Sequence, residues 1–252
     1  MNIQKADMWK RASAALFDLI LVCILVVGFA FMFSALTGYD KRIEKLETIY
    51  EKYEEKYGIS RNITMEEIMA MTPEEQQKYK DADAEMFGDA EYQNAIMMVF
   101  SLTLVIVSFS ILFSYLIWEF FIPLRLKNGQ TLGKKIFGVG VMREDGIKVT
   151  PPLLFIRAIL GKFTIETMVP VLIVIMLFFG TIGIFGLLTL GLILLLQIVL
   201  LIVTRTNSVI HDVLAKTVAV DLASQRIFES EEELVEYKKK MHAEKAARES
   251  YF

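Results

Sequence analysis

The chain has 252 residues, 54% of them hydrophobic, and its 27 Lys and Arg against 30 Asp and Glu leave a formal charge of −3. A water-soluble protein of this length scatters its apolar residues over one or two cores, whereas here they fall in blocks of about 20 or more with almost no charge, the signature of bilayer-spanning helices. One cysteine, Cys23, excludes an intramolecular disulfide, and two histidines, His211 and His242, are too few for a histidine-based metal site.

Residues 1–37 read as a short cytoplasmic N-terminus and a first transmembrane helix. The apolar run 12–36 follows Lys5, Lys10 and Arg11; it exceeds the ~7–15 residues of a signal-peptide core, and no small-x-small site closes it, so an uncleaved helix is expected. Residues 38–94 follow as an acidic, extracytoplasmic loop. Ile43, Leu46, Tyr50, Tyr53 and Tyr57 recur there at three- and four-residue steps, and Thr72-Pro73-Glu74-Glu75 has capping-box spacing with proline at the first helical position. A helical hairpin is expected, either a solvated spacer or a docking surface whose tyrosine stripe needs a partner to cover it. The Asn62-Ile63-Thr64 sequon carries almost no weight.

The second transmembrane helix is placed at 95–123, interrupted only by Glu119. Residues 124–162 form a basic loop in which Val139, Val141, Ile147 and Val149 flank Asp145-Gly146, the pattern of a β-hairpin. Residues 163–204 hold one ionisable group, Glu166, and are about twice the length one ~30 Å hydrocarbon core needs, so Gly180, Gly183 and Gly186 are expected to turn a hairpin of helices three and four. Residues 205–222 read as an interfacial segment, with an apolar stripe of Val209, Ile210, Val213, Leu214 and Thr217. Residues 223–252 read as a charged cytoplasmic helix opened by a capping box at Ser230. The fold class is thus all-α integral membrane, with four transmembrane helices. The basic loop carries eight Lys and Arg against Glu144 and Asp145, which puts it, and with it both termini, in the cytoplasm.

The chemistry lies in the charges inside the apolar blocks. A seven-residue step puts Arg11 and Asp18 on one helix face, ~10 Å apart along the axis, with Ala14 and Ala15 small enough for another helix to approach. An intramembrane carboxylate costs on the order of 2.5–3.5 kcal/mol unless it meets protein, water or a partner, so Asp18 is expected to face the bundle. Glu119 and Glu166 lie at similar depth, all in the inner half. This asymmetry suggests a vestibule open to the cytoplasm, lined by Asp18, Glu119 and Glu166, with Arg11 and Arg157 as counter-charges. Two accounts stand: a structural charge network that fixes helix packing, or an ion or proton site.

Enzyme readings fare poorly. "GQTLGKK" is one residue short of a phosphate loop between its glycines and lacks Ser or Thr after Lys134, and there is no serine/histidine/acid set and no Cys/His cluster. The positive-inside bias already accounts for the basic loop, so nucleic acid is not implied.

The segments "WKRASAALFDLILV", "WEFFIPLRLKNGQTLGKKIFGVGVMREDG", "FIRAILGKF" and "NSVIHDVLAKTVAV" resemble the RDD family of bacterial membrane proteins, named for one arginine and two aspartates. The resemblance puts the arginine on Arg11, the first aspartate on Asp18 and the second on Asp212; it leaves out 40–94 and the tail after Asp221. Lys216 departs from it, since a small residue, usually glycine, is expected after "HDVLA". His211-Asp212 could fold back to Arg11 or Arg157. The family implies location in the bacterial cell membrane and a transport role, with cation/proton exchange attributed to some members. On that basis Asp18, Glu119, Glu166 and Asp212 are ion- or proton-binding candidates, Arg11 and Arg157 their charge partners, and His211 an interfacial neighbour. The expected ligands are Na+, Li+, K+ or H+, with no cofactor and a possible homodimer. The competing expectation is a non-transporting adaptor that regulates another membrane protein through residues 40–94 or the tail.

Overall fold

The computed structural model of the protein describes residues 3–178 and 181–249. Four helices are long and apolar enough to cross a membrane, over Met8–Thr37, Ala90–Arg125, Pro151–Phe178 and Gly183–Val203. The rest is mostly helical, with one two-stranded sheet. The chain separates into two compact units, Val27–Ser110 and the combination of Met1–Val26 with Ile111–Phe252.

In the first unit, the later part of α1 (Met8–Thr37) leads into α2 (Tyr39–Tyr57), α3 (Met65–Ala70), α4 (Pro73–Gly88) and the start of α5 (Ala90–Tyr115). Thr64 and Thr72 each accept from the backbone three residues on, while Glu67 and Glu75 bond back to the caps, so α3 and α4 both open with capping boxes. Leu46, Ile49 and Tyr53 of α2 pack into one core with Met86, Tyr92 and Val99, and Ile43, Tyr50 and Tyr57 flank it. The tyrosine stripe therefore packs against the chain's own helices, with Tyr50 and Tyr57 partly buried. Tyr53 closes the arrangement by donating its hydroxyl to Asp89 at 2.8 Å.

In the second unit the helix of α5 continues as π1 (Leu116–Phe121) and α6 (Ile122–Arg125). After a single 3₁₀ turn, Lys127–Gly129, come α7 (Leu132–Ile136) and β1 (Val139–Arg143). The third span is built from α8 (Pro151–Phe155), π2 (Ile156–Met168) and α9 (Val169–Phe178). It begins at Pro151 rather than 163, so Arg157 and Lys162 belong to a helix and not to a loop. Then follow α10 (Gly183–Val203), α11 (Ile210–Leu214), β2 (Thr217–Asp221) and α12 (Glu231–Glu249). Gly183 and Gly186 lie in the first turn of α10; Gly180 lies outside the described residues.

The expected β-hairpin is corrected. Asp145-Gly146 does turn the chain, with Gly146 at φ 95° and its N–H on the Arg143 carbonyl at 3.0 Å. The second arm makes one bridge to the first, Met142↔Lys148, and another to Phe228 through Ile147, because Pro151 and Pro152 start a helix three residues after Lys148 and offer no N–H to a ladder. The partner of β1 is instead β2, antiparallel from Val139↔Asp221 to Arg143↔Thr217. Both strands are buried for four of five residues, and Lys5 bridges Val220 on the other edge. The N-terminal segment, the loop after α6 and the segment after α10 thus meet in one small sheet. The expected interfacial helix is corrected with it: only Ile210–Leu214 is helical, and Thr217 opens the strand.

Candidate functional site

Asp18 is 4% exposed on α1, and its three partners are all neutral donors. Trp118 Nε1 donates at 3.0 Å, the Gly133 backbone N–H at 2.8 Å, and the Thr131 hydroxyl also donates. Thr131 caps α7, so the carboxylate sits at the start of that short helix. A Cβ at Gly133 would lie 2.4 Å from the Ala14 carbonyl oxygen, so only glycine lets α7 dock there. The close approach that Ala14 permits is therefore to the loop after α6 rather than to a transmembrane helix.

The expected counter-charge relation between Arg11 and Asp18 is corrected. A separation of ~10 Å along the axis leaves each to nearer partners. Arg11 donates to the Asn207 carbonyl at 2.8 Å and lies 3.4 Å from Asp212. Asp212, 1% exposed at the start of α11, also receives Arg157 and the Thr217 hydroxyl at 3.2 Å. Burial alone pushes the Asp212 carboxyl up, but the guanidinium groups of Arg157 and Arg11 oppose it and hold it well below the usual carboxylate range.

Glu119, in π1, lies between two lysines: Lys134 Nζ at 3.4 Å and Lys162, which hydrogen-bonds its other oxygen. Burial pushes the Lys134 ammonium down to about 8, with Glu119 pulling the other way. Glu166 accepts the His211 backbone N–H at 3.0 Å and faces His211 Nδ1 at 2.8 Å. Burial pushes the His211 imidazole down, reinforced by Arg157 and opposed by Asp212 and Glu166. Gln197 of α10 receives the Ile210 N–H at 3.2 Å and fixes α11 to that helix.

These groups surround a cavity of about 310 Å³ walled by Arg11, Asp18, Lys134, Lys162, Glu166 and His211, among others. Arg157, Gln197 and Asp212 also reach it, and Met8, Ala12, Ala15 and Leu201 give it an apolar side. Glu119 does not line it; the two lysines stand between. Of the three carboxylates expected to line a vestibule, Asp18 and Glu166 line this cavity, and lysines stand in place of Glu119. Four cations (Arg11, Lys134, Arg157, Lys162) meet four carboxylates (Asp18, Glu119, Glu166, Asp212), so with His211 neutral the cluster carries no net charge. Among the described residues no three His, Cys, Asp or Glu side chains are grouped to hold a metal ion.

Lys134, Lys162, Trp118, Thr131 and Gly133 were not singled out from the sequence. The lysines look like ordinary positive-inside charges until the helix boundary moves to Pro151. The signals in reach were Gln197, a lone amide in an apolar run, and Trp118, beside Glu119.

A model of the RDD family matches residues 5–216. No curated protein and no solved structure matches the chain.

Proposed function

The chain belongs to the RDD family, and we propose that it is a multi-pass transporter of the bacterial cell membrane that exchanges a monovalent cation for a proton. The observation that carries this reading is the charge-balanced cluster around the cavity: four cations and four carboxylates, with Glu119 set behind the lysines and Lys134 on the wall able to give up its proton and become a neutral amine. Loss of one proton from Lys134 leaves the cluster at −1, which a single monovalent cation restores to zero. Asp18, Glu166 and Asp212 supply carboxylate oxygens to the same cavity. One proton thus leaves for each cation that enters, with no net charge moved into the protein. The roles first given to Arg11 and Asp18 change accordingly: Arg11 holds Asp212, and Asp18 fixes α7, which carries Lys134. The excess of lysine and arginine in 124–162 supports an orientation with that loop and both termini in the cytoplasm. Four spans make a small exchanger, and a homodimer belongs to the proposal. No enzymatic reaction is assigned.

The test uses purified protein in sealed liposomes containing a pH-sensitive dye, with Na+, Li+ or K+ added outside. Wild type is compared with Lys134→Arg, which keeps the positive charge beside Glu119 but cannot lose it near neutral pH. Cation-driven proton flux in wild type, lost at least tenfold in the folded variant, is the expected result. No flux from well-folded wild type with any of the three ions sinks the reading.

A further inference from the structure

The charged groups of the second and third spans share a backbone feature. Glu119 lies in π1, and Arg157, Lys162 and Glu166 all lie in π2. The π character is visible in the bonds: the Ile122 N–H goes to the Ile117 carbonyl, the Val169 N–H to the Thr164 carbonyl, and the Thr164 hydroxyl to the Ile159 carbonyl at 2.9 Å, each five residues back. Such helices are rare, are mostly single turns, and gather at functional sites; π2 runs for 13 residues.

Register decides which side chains share a face. In an α-helix, at about 100° per residue, the nine steps from Arg157 to Glu166 put them about 180° apart. With i→i+5 bonding, about 82° per residue, the same nine steps bring them within about 20° of each other. The Arg157-to-Lys162 separation closes in the same way, from about 140° to about 50°. Burial agrees with the π period: Phe155, Leu160 and Thr164 are exposed, while Arg157, Ala158 and Gly161 are buried. A Cβ at Gly161 would meet His211 Cβ at 2.4 Å, so α11 seats against the inward face that this register creates.

Resting on the exchange reading above, we propose that π2 is a register switch: in the π register it assembles the cavity, and a return to the α register takes it apart. Three contacts hold the π register from other elements, namely Arg157 with Asp212, Lys162 with Glu119 and Glu166 with His211. Loss of any one of them, such as Lys162 with Glu119, frees the helix to shorten its bonds to i→i+4. Glu166 then swings to the far side from Arg157 and leaves His211, which opens the cavity wall. Thr164, nine residues from Phe155, makes the opposite journey, from the outer face of the span, where a thiol against hydrocarbon reacts slowly, to the polar cavity side, where it reacts fast.

The experiment reads this rotation without measuring transport. In a Cys23→Ser background, Thr164→Cys and, separately, Phe155→Cys are labelled in native membranes with N-ethylmaleimide, with Glu119 intact and with Glu119→Gln. Phe155 precedes the switching segment and does not turn. The expected result is labelling at residue 164 at least tenfold faster in Glu119→Gln, with residue 155 unchanged. An unchanged rate at residue 164 overturns the switch, and so does a parallel rise at both positions, since rotation leaves residue 155 where it was. If the liposomes show no cation-driven flux but residue 164 responds as expected, the switch stands and the exchange reading falls alone.

Discussion

Lys216 shows how one residue can carry a cost that its sequence context announces. It ends α11 with φ 50°, in the left-handed region, at the position where the family resemblance leads one to expect glycine. A left-handed L-residue costs roughly 1–2 kcal/mol, and glycine gives back roughly 0.5–1 kcal/mol in chain entropy. Lys216→Gly is therefore expected to stabilise the protein by up to about 1 kcal/mol, read as a higher Tm in detergent; a lower Tm would mean that the lysine side chain makes a contact worth more than the strain. Lys134 makes the second prediction at this scale. Its pKa in the fold is about 8, below its ordinary 10.5, so the unfolded chain binds more protons between those values. The cost of burying the charged form is fully present below pH 8 and is relieved as pH rises through that window. Since cation binding is proposed to follow loss of this proton, the KM for the cation should fall as pH rises through about 8 on the loading side. Glu119 and Lys162 face the amine from π1 and π2, Arg157 and Asp18 act from farther off, and Lys134→Arg should flatten the profile. A wild-type KM constant from pH 7 to 9 would remove Lys134 from the mechanism.

Elements were legible where one period dominates. The apolar blocks, the α2 stripe and the capping box at Thr72 all report local geometry, and α2 and α4 form as that geometry directs. What could not be read was long-range pairing. Nothing near Val139 says that its partner lies some eighty residues on, at Asp221, because a strand buried on both faces looks the same whichever strand completes it. The π register is invisible for a related reason: residues spaced for one face of a π-helix, such as Arg157, Lys162 and Glu166, look scattered on an α-helical wheel. The docking of α7 on α1 belongs to this scale too. Gly133→Ala drives a methyl into the Ala14 carbonyl at 2.4 Å, backbone against backbone, where neither side can rotate away. A loss of about 1–3 kcal/mol or more is expected, measured by thermal unfolding in detergent, because α7 must also give up the Gly133 bond to Asp18. A melting point within 1 °C of wild type (roughly 0.3 kcal/mol or less) would show that α7 is not held there.

The division into two units separates what the proposed chemistry needs from what it does not. Every charged group around the cavity, from Arg11 to Asp212, falls outside Val27–Ser110. The helices of 40–89 have their own caps and their own ion pairs, such as Lys56 with Glu85 and Arg61 with Asp83, and share one core with Tyr92 and Val99 of α5. Within that unit, Tyr39 reaches Thr103 at 3.0 Å, so α5 overshoots the end of α1 by the residues from Ala90 to Thr103, about 20 Å of helix. A flexible linker of about ten residues can span that distance. Replacing 40–89 with such a linker is therefore expected to leave cation-driven proton flux within about twofold of the full chain, the size of change that about 0.4 kcal/mol in a barrier produces. An adaptor that worked through the hairpin would lose its function with the hairpin, whereas an exchanger built on the second unit would not. Loss of flux from a shortened protein that stays monodisperse, with its melting point unchanged, would show that the hairpin takes part in the exchange cycle.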